Sequence, residues 1–348
     1  MAIQIGIDIR EARPEGAGKG RYTEELTKAL IKRAPKGVKF FLFTDQPHPD
    51  FTEDQILIPG KGMSWHLNLR KFLKKSSLDF YLSPTSFIVP ALLSGGPKMA
   101  IVVHDMIAFL FPKTHARFPT LVEKLTLGKA IKNAQLILTV SESTWKDLKR
   151  LKPEAASKKH LLAYPGVNFI APKKKRLKIP DSYLFAIGSP LPRKNFPRVI
   201  EAFSQVAARQ KNLHLCIAGP KGNFPVPPNL KNRIHFLGYV RSEDLPELYS
   251  RAEALVFPSL YEGFGIPIIE AMAVGCPVIT SNRSSMPEVA DNAALLVNPE
   301  STDEIAAAIE QILKPSFRDQ YRHRGLKRAR QFTWESSADA LLREWKIV

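Results

Sequence analysis

Residues 261–271 read YEGFGIPIIEA, with two carboxylates, Glu262 and Glu270, placed around Gly-Phe-Gly and a proline. Gly263 and Gly265 loosen the backbone, and Pro267 suits the first turn of a helix, where its missing N–H costs nothing. The pattern predicts a short helix from Ile268 to Val274, stopped by Gly275 and followed by a buried strand over 277–280. Glu262 then sits in the preceding loop and Glu270 in the first turn. Two carboxylates and several loop amides would face one small volume at a helix N-terminus. That end of a helix attracts anions, which leaves the carboxylates to bind neutral hydroxyls. A nucleotide sugar supplies both, with hydroxyls at its two ends and a diphosphate between. Spacing alone favours the plainer alternative, in which Glu270 merely complements the helix dipole and Glu262 is a solvated loop acid.

Other residues carry chemistry at strand ends. Arg193 and Lys194 follow a strand and a Gly-Ser-Pro turn; two adjacent cations there could neutralise a diphosphate, or be ordinary surface charge. His104-Asp105 ends an apolar strand, where a histidine is often only a capped core residue. Gly16-Ala-Gly18-Lys-Gly20 leads from the first strand into a helix, without the spacing of a dinucleotide fingerprint or of a P-loop. Ser141 reads as a helix N-cap. Residues 65–75 put Trp65, Leu69, Phe72 and Leu73 on one helical stripe flanked by Arg70, Lys71, Lys74 and Lys75. That is the pattern of an interfacial helix, and an amphipathic core helix looks alike.

The elements that must hold these groups alternate along the chain. Strands are expected at Ile3–Ile9, Val38–Thr44, Ile101–Val103 and Leu136–Val140, with helices at Gly20–Arg33 and from Ser141 through Lys152. A charged run, KKKRLKIPDS at 173–182, carries no periodicity and reads as a linker. The alternation then restarts with strands at Tyr183–Ile187, Leu213–Ala218, Ile234–Tyr239 and Ala254–Pro258. Helices are expected at Phe196–Arg209, at Ser242–Arg251 with Ser242 as N-cap, and from a capping box at Ser301–Glu304 to Leu313. Strand–helix alternation over 348 residues implies two doubly wound parallel-sheet domains, with ligands beyond the strand C-termini.

Composition narrows the partners. The chain carries a formal net charge of +18. Residues 1–178 hold 31 Lys and Arg against 15 Asp and Glu, and residues 179–348 hold 20 against 18. The basic half suits an anionic partner or simply a soluble surface. No zinc spacing, RNP sequence or aromatic-interleaved basic strip supports nucleic acid. Cys216 and Cys276 lie in apolar runs and read as reduced core residues of a cytoplasmic protein. The start, MAIQIGIDIR, reads as a strand and not a signal peptide, and no apolar stretch is long enough to span a bilayer.

The motifs together resemble the retaining glycosyltransferases of family 4. They are GIDIR with GAGKGRYTEEL, VVHDMIAFLFP, LTVSESTWKDL, YPGVN, IGSPLPRKN, LGYV, LVFPSLYEGFGIPIIEAMAVGCPVIT and SSMPEVA. The resemblance implies the GT-B fold, two Rossmann-like domains facing across a cleft. It implies an acceptor-binding domain over 1–172, a linker over 173–182, a nucleotide-sugar domain over 183–330, and a C-terminal helix over 331–348 crossing back to the first domain. It puts Arg193 and Lys194 on the leaving diphosphate, Glu270 on the ribose diol and Glu262 on the sugar hydroxyls. The amides of Phe264, Gly265 and Ile266 fall on sugar and phosphates, Gly18 near the donor phosphates, and His104 on the transferred sugar. With no Asp-x-Asp motif, it implies transfer without a metal or other cofactor. GIDIR…GKGRYTEEL with VVHDMIAFLFP resembles the mannosyltransferase-like branch, which implies GDP-mannose, with UDP-hexoses as the alternative. A lipid-linked or polysaccharide acceptor follows, and a peripheral place on the inner face of the cell membrane with the Trp65–Lys75 helix as the contact. A sugar-nucleotide epimerase of the same fold and a nucleic-acid-binding protein are the rival readings.

Overall fold

Strands in parallel sheets are covered on both faces and so read as apolar runs. The computed structural model bears this out in both halves of the chain; it describes residues 2–13, 18–112, 117–168 and 177–348. Two units result, Met1–Gly166 with Thr333–Val348, and Val167–Phe332.

In the first unit, strands β1 (Ile3–Asp8), β2 (Val38–Thr44), β3 (Asp54–Leu57), β4 (Phe80–Ser83), β5 (Lys98–Val103), β6 (Leu136–Thr139) and β7 (Lys159–Leu162) form one sheet. Its order is β3-β2-β1-β4-β5-β6-β7, and every pairing is parallel. In the second unit, β8 (Tyr183–Ile187), β9 (His214–Ala218), β10 (Ile234–Gly238), β11 (Ala254–Phe257), β12 (Val278–Ser281) and β13 (Leu295–Val297) run parallel in the order β10-β9-β8-β11-β12-β13. The strand order reverses beside β1 in one sheet and beside β8 in the other. A doubly wound sheet opens a ligand crevice at such a reversal, beyond the carboxyl ends of its strands.

Several element boundaries differ from the sequence expectation, each for a local reason. The helix expected from Ser242 starts at Leu245, because Arg241–Asp244 closes a turn and Pro246 fits the first helical turn. Ser301 does cap its helix, accepting from Glu304 N–H at 3.2 Å. The capping box is only half formed, since the Glu304 carboxylate turns to Asn298 N–H at 2.8 Å. Strands β3, β4, β7 and β13, of three or four residues each, are too short to show a period of their own.

Cys216 and Cys276 are free thiols in the core of the second unit, and burial pushes both up to about 12. The last helix, Trp334–Glu344, packs on the helix Lys19–Arg33 of the first unit. Lys32 pairs with Glu335 at 2.9 Å, Arg33 with Asp339 at 2.7 Å, and the Tyr22 and Trp334 rings meet edge to face. Gly166 lies so near this helix start that a Cβ would come 2.3 Å from Trp334 N. Residues 173–176 of the expected linker, and Gly16 and Ala17 of the glycine loop, lie outside the described residues. Leu177 N–H donates to Glu247 Oε1 at 2.9 Å within the second unit.

Candidate active site

The second unit gathers its charged groups at the carboxyl ends of β8 and β11, on either side of the reversal in strand order. After β8 the chain passes through Gly188 into a turn, Pro192–Lys194, ended by Asn195 in the left-handed region at φ 63°. Asn195 is buried and fixes this turn. Its amide donates to the carbonyls of Pro258 at 3.0 Å and Pro299 at 2.6 Å, and Leu260 N–H donates to Arg193 O at 2.7 Å. Gly188, at φ 149°, leaves room for the Lys194 stem, which a Cβ would approach to 3.2 Å.

Held there, both cations reach one carboxylate. Arg193 Nη1 is 3.0 Å from Glu262 Oε2, and Lys194 Nζ is 2.6 Å from Glu262 Oε1. Each of the three side chains is only 11% exposed. Lys194 also lies over the Phe257 ring, 4.8 Å from its centre, and burial lowers its pKa although Glu262 opposes the shift. Arg193 Nε is buried with no acceptor. Both oxygens of Glu262 are engaged by cations. Two cations against one carboxylate leave a local positive excess and an unfilled N–H, which suits an anion with several oxygens.

The loop that carries Glu262 is clamped from its far side. Ser284 Oγ donates to Glu262 O at 2.7 Å, and Ser285 Oγ lies 3.0 Å from Glu262 O and 2.8 Å from Phe264 O. Phe264 is buried and meets the Phe332 ring edge to face. Gly265, at φ 102°, caps the helix Ile266–Ala273, so this helix starts two residues before the expected Ile268. Glu270 accordingly belongs to its second turn, not the first. There it accepts from the hydroxyl of the buried Tyr249 at 3.0 Å. Sequence reading gave no role to Asn195, Tyr249, Ser284 or Ser285. Asn195 and the serine pair fall inside the motifs IGSPLPRKN and SSMPEVA, but nothing in their types signals loop clamps.

In the first unit, His104 follows β5. Its Nε2 is 2.7 Å from Pro84 O, and a carbonyl only accepts, so Nε2 carries the proton and Nδ1 keeps a lone pair. Burial, with the Lys19 charge adding to it, lowers its pKa to about 4, so the ring is neutral. Tyr22 packs edge-on against the imidazole at 4.9 Å, with its own hydroxyl donating to Ala163 O. Lys19 lies 3.5 Å from Asp105. Gly18 sits at the start of the helix Lys19–Arg33 with φ 59°, and a Cβ on Gly20 would come 2.4 Å from Glu11 O. Ser141 is the N-cap of the helix Glu142–Leu151, accepting from Thr144 N–H at 3.0 Å.

The expected membrane helix needs correcting. Residues Met63–Lys75 are helical, but Trp65 is 1% exposed and packs with Leu69 and Leu73 into a cluster of Phe43, Tyr81, Val89, Leu93 and Met99. Arg10 covers the Trp65 ring at 4.5 Å, and Arg70 donates to Leu92 O at 2.7 Å. Phe72 is partly exposed but rests edge-on against Phe43, while Lys71, Lys74 and Lys75 point to solvent. The stripe covers the sheet, because the apolar surface of β2 and β4 offers a drier neighbour than any interface. Trp65 is therefore not available for insertion into lipid.

Two doubly wound parallel-sheet units, the second with a cation pair and a carboxylate at its reversal, are the architecture of the GT-B fold. The backbone supports that fold, with 99% of this chain matching 98% of sucrose-phosphate synthase from Thermosynechococcus elongatus at a TM-score of 0.79 and 19% identity. Residues 169–332 match the family model described as glycosyl transferases group 1. The chain is 30% identical to O-antigen chain mannosyltransferase B of Escherichia coli, over 95% of this chain and 96% of the relative. It is 32% identical to O-antigen chain mannosyltransferase RfbU of Salmonella typhimurium, over 72% of this chain and 69% of the relative. The chain belongs to the glycosyl transferases group 1 family.

Proposed function

We propose that this glycosyltransferase moves a mannose from GDP-mannose to a hydroxyl of a lipid-linked or polysaccharide acceptor, with retention and without a metal. The observation that carries the reading is the pair Arg193 and Lys194 sharing Glu262, with the buried Arg193 Nε–H still lacking an acceptor. Mannose is favoured over a UDP-linked hexose by two relatives that match 95% and 72% of this chain, both of them O-antigen mannosyltransferases.

Under this reading the donor's diphosphate takes the cations. As the bond from the sugar C1 to the phosphate oxygen breaks, negative charge grows on the departing GDP, and Arg193 and Lys194 stabilise it as a preorganised oxyanion site would. The acceptor oxygen forms its bond to C1 on the same face and gives its proton to the departing phosphate oxygen. Glu262, released from the cations, accepts from sugar hydroxyls, and the Phe264–Ile266 amides lie beside it. Glu270, steadied by Tyr249, accepts from the ribose diol. The family resemblance assigns His104, with its Nδ1 lone pair, to a hydroxyl of the transferred sugar and Gly18 to the donor phosphates. The acceptor's lipid carrier would hold the protein peripherally at the inner face of the membrane.

Thermal shift against a panel of nucleotide sugars tests the donor, and GDP-mannose is expected to give the largest rise. Transfer to an O-antigen-type acceptor should yield an α-linked mannoside by NMR and should survive a chelator. Preference for a UDP-sugar, an inverted product or a strict need for Mg²⁺ would each overturn the corresponding part. Release of an epimerised sugar without any acceptor would replace transfer altogether.

A further inference from the structure

We propose that one face of the helix Arg117–Asn133 docks on an anionic lipid surface. The inference rests on the membrane-associated part of the reading above and names the surface that makes the contact.

Phe118, Leu121 and Leu125 are 73%, 54% and 68% exposed, among the barest large apolar side chains on the described surface. At about 100° per residue, their spacing puts all three within an arc of roughly 60° on the helix. Lys129 and Lys132 continue the same face along the last two turns, and Arg117 and Lys124 border it; all four are exposed. Lys158 adds a cation at the helix end, donating to Lys132 O at 2.6 Å and Ala134 O at 3.0 Å. The helix has one acid, Glu123, and it lies on the opposite side. Its carboxyl is raised by burial and feels the charges of Lys19 and Asp105.

An apolar patch that ends in cations matches a lipid surface twice over. The three side chains can enter the boundary between headgroups and acyl chains, while the cations pair with phosphates. A second copy of this chain fits poorly, since a twofold contact would place these cations against their own equivalents. None of the described helices is long and apolar enough to cross a membrane. The contact is thus of the surface kind. Glu123 and its neighbours Lys19 and Asp105 lie across the helix from the patch. A docked helix would hold the strand end at His104 about one helix diameter, roughly 10 Å, from lipid.

The test is sedimentation of the full chain with vesicles of phosphatidylglycerol and phosphatidylcholine, against phosphatidylcholine alone. The parent should sediment only with the anionic vesicles. Phe118→Ser/Leu121→Ser/Leu125→Ser and Lys124→Glu/Lys129→Glu/Lys132→Glu should each lose at least tenfold in partitioning, as each cation near such a surface is worth about a factor of five. All six positions are exposed or bordering, so circular dichroism should match the parent. A polarity-sensitive dye on Leu125→Cys should shift to the blue with anionic vesicles, whereas the same dye on Phe72→Cys should not. Cys216 and Cys276 are buried and stay unlabelled. Equal sedimentation by the parent and the triple serine variant, a dye response at position 72 instead of 125, or a lipid-free dimer dispersed by the serine variant would overturn the proposal. Transfer to a water-soluble acceptor separates the two readings. Transfer without vesicle binding defeats the docking face alone, and vesicle binding without transfer from any nucleotide sugar defeats the reaction alone.

Discussion

Lys194 Nζ lies 2.6 Å from Glu262 Oε1, while the adjacent Arg193 holds the other carboxylate oxygen at 3.0 Å. One carboxylate thus offsets one of the two positive charges that the proposed donor diphosphate would meet, and the anion and Glu262 compete for the same two cations. Glu262→Gln keeps the volume and removes the competitor. GDP should then bind roughly fivefold more tightly, the scale of a charge-pair change of about 1 kcal/mol. Transfer should fall at the same time, because a sugar partner is weakened. Calorimetry that finds equal or weaker GDP binding by the variant would remove the competition.

Stability should respond unequally to the two partners. Glu262→Ala strands two nearly buried cations beside each other and is expected to cost about 3–5 kcal/mol. Lys194→Ala leaves Glu262 paired with Arg193 and removes a cation that burial already disfavours. Its cost should be below about 1.5 kcal/mol, while transfer loses about 2–4 kcal/mol of transition-state stabilisation. Urea unfolding beside steady-state rates checks both. A Lys194→Ala enzyme of near-parental rate would take the leaving group elsewhere.

Asn195 holds the cation turn in place by two buried bonds and a left-handed backbone that asparagine tolerates. Asn195→Ala leaves two carbonyls unpaired and should destabilise by about 2–3 kcal/mol. Donor affinity should fall alongside, although the residue is assigned no ligand contact. Unchanged denaturant midpoints would show that the turn holds without it.

Tyr249→Phe removes the hydroxyl that donates to Glu270 and keeps the ring. Under the proposed role of Glu270, the KM for the donor should rise several-fold with kcat little changed, as expected when ground-state and transition-state binding weaken together. A fall in kcat at constant KM would move Glu270 from ribose binding to chemistry.

His104 should stay neutral through the physiological range, its titration lowered to about 4 from an ordinary 6.5. The unfolded chain binds the proton first, so stability is full above pH 6.5 and falls as pH drops toward 4. The slope is at most about 1.4 kcal/mol per pH unit from this one group. His66 and His160, also lowered to about 4 by burial, act in the same direction. Asp8, raised to about 6 by burial, acts against them as pH falls from 6. NMR titration of the His104 ring is the direct check, and a midpoint near 6.5 would contradict the buried, neutral imidazole.

The local alphabet was enough to declare much of this molecule. Apolar runs such as 183–187 and 254–257 can only be central parallel strands once helices alternate with them, and the caps at Ser141 and Ser301 follow from one side chain and one amide. Arg193, Lys194, Glu262 and Glu270 stood out as charges near glycines and strand ends, but their type and spacing fit ordinary surface and helix-dipole charge as well, and only the family resemblance assigned them to a donor. What contacts distant in sequence decide was not legible. That Glu262 ties down both cations, that Asn195 reaches Pro258 and Pro299, and that Tyr249 steadies Glu270 all depend on pairings across 21 to 104 residues, which no local pattern encodes. Two helices of the first unit make the same point. Trp65–Lys75 and Arg117–Asn133 both carry apolar residues among lysines, yet β2 and β4 cover the first stripe, while Phe118, Leu121 and Leu125 of the second are left bare. A sequence fixes which face of a helix is apolar, but only the packed sheet decides whether that face finds a neighbour.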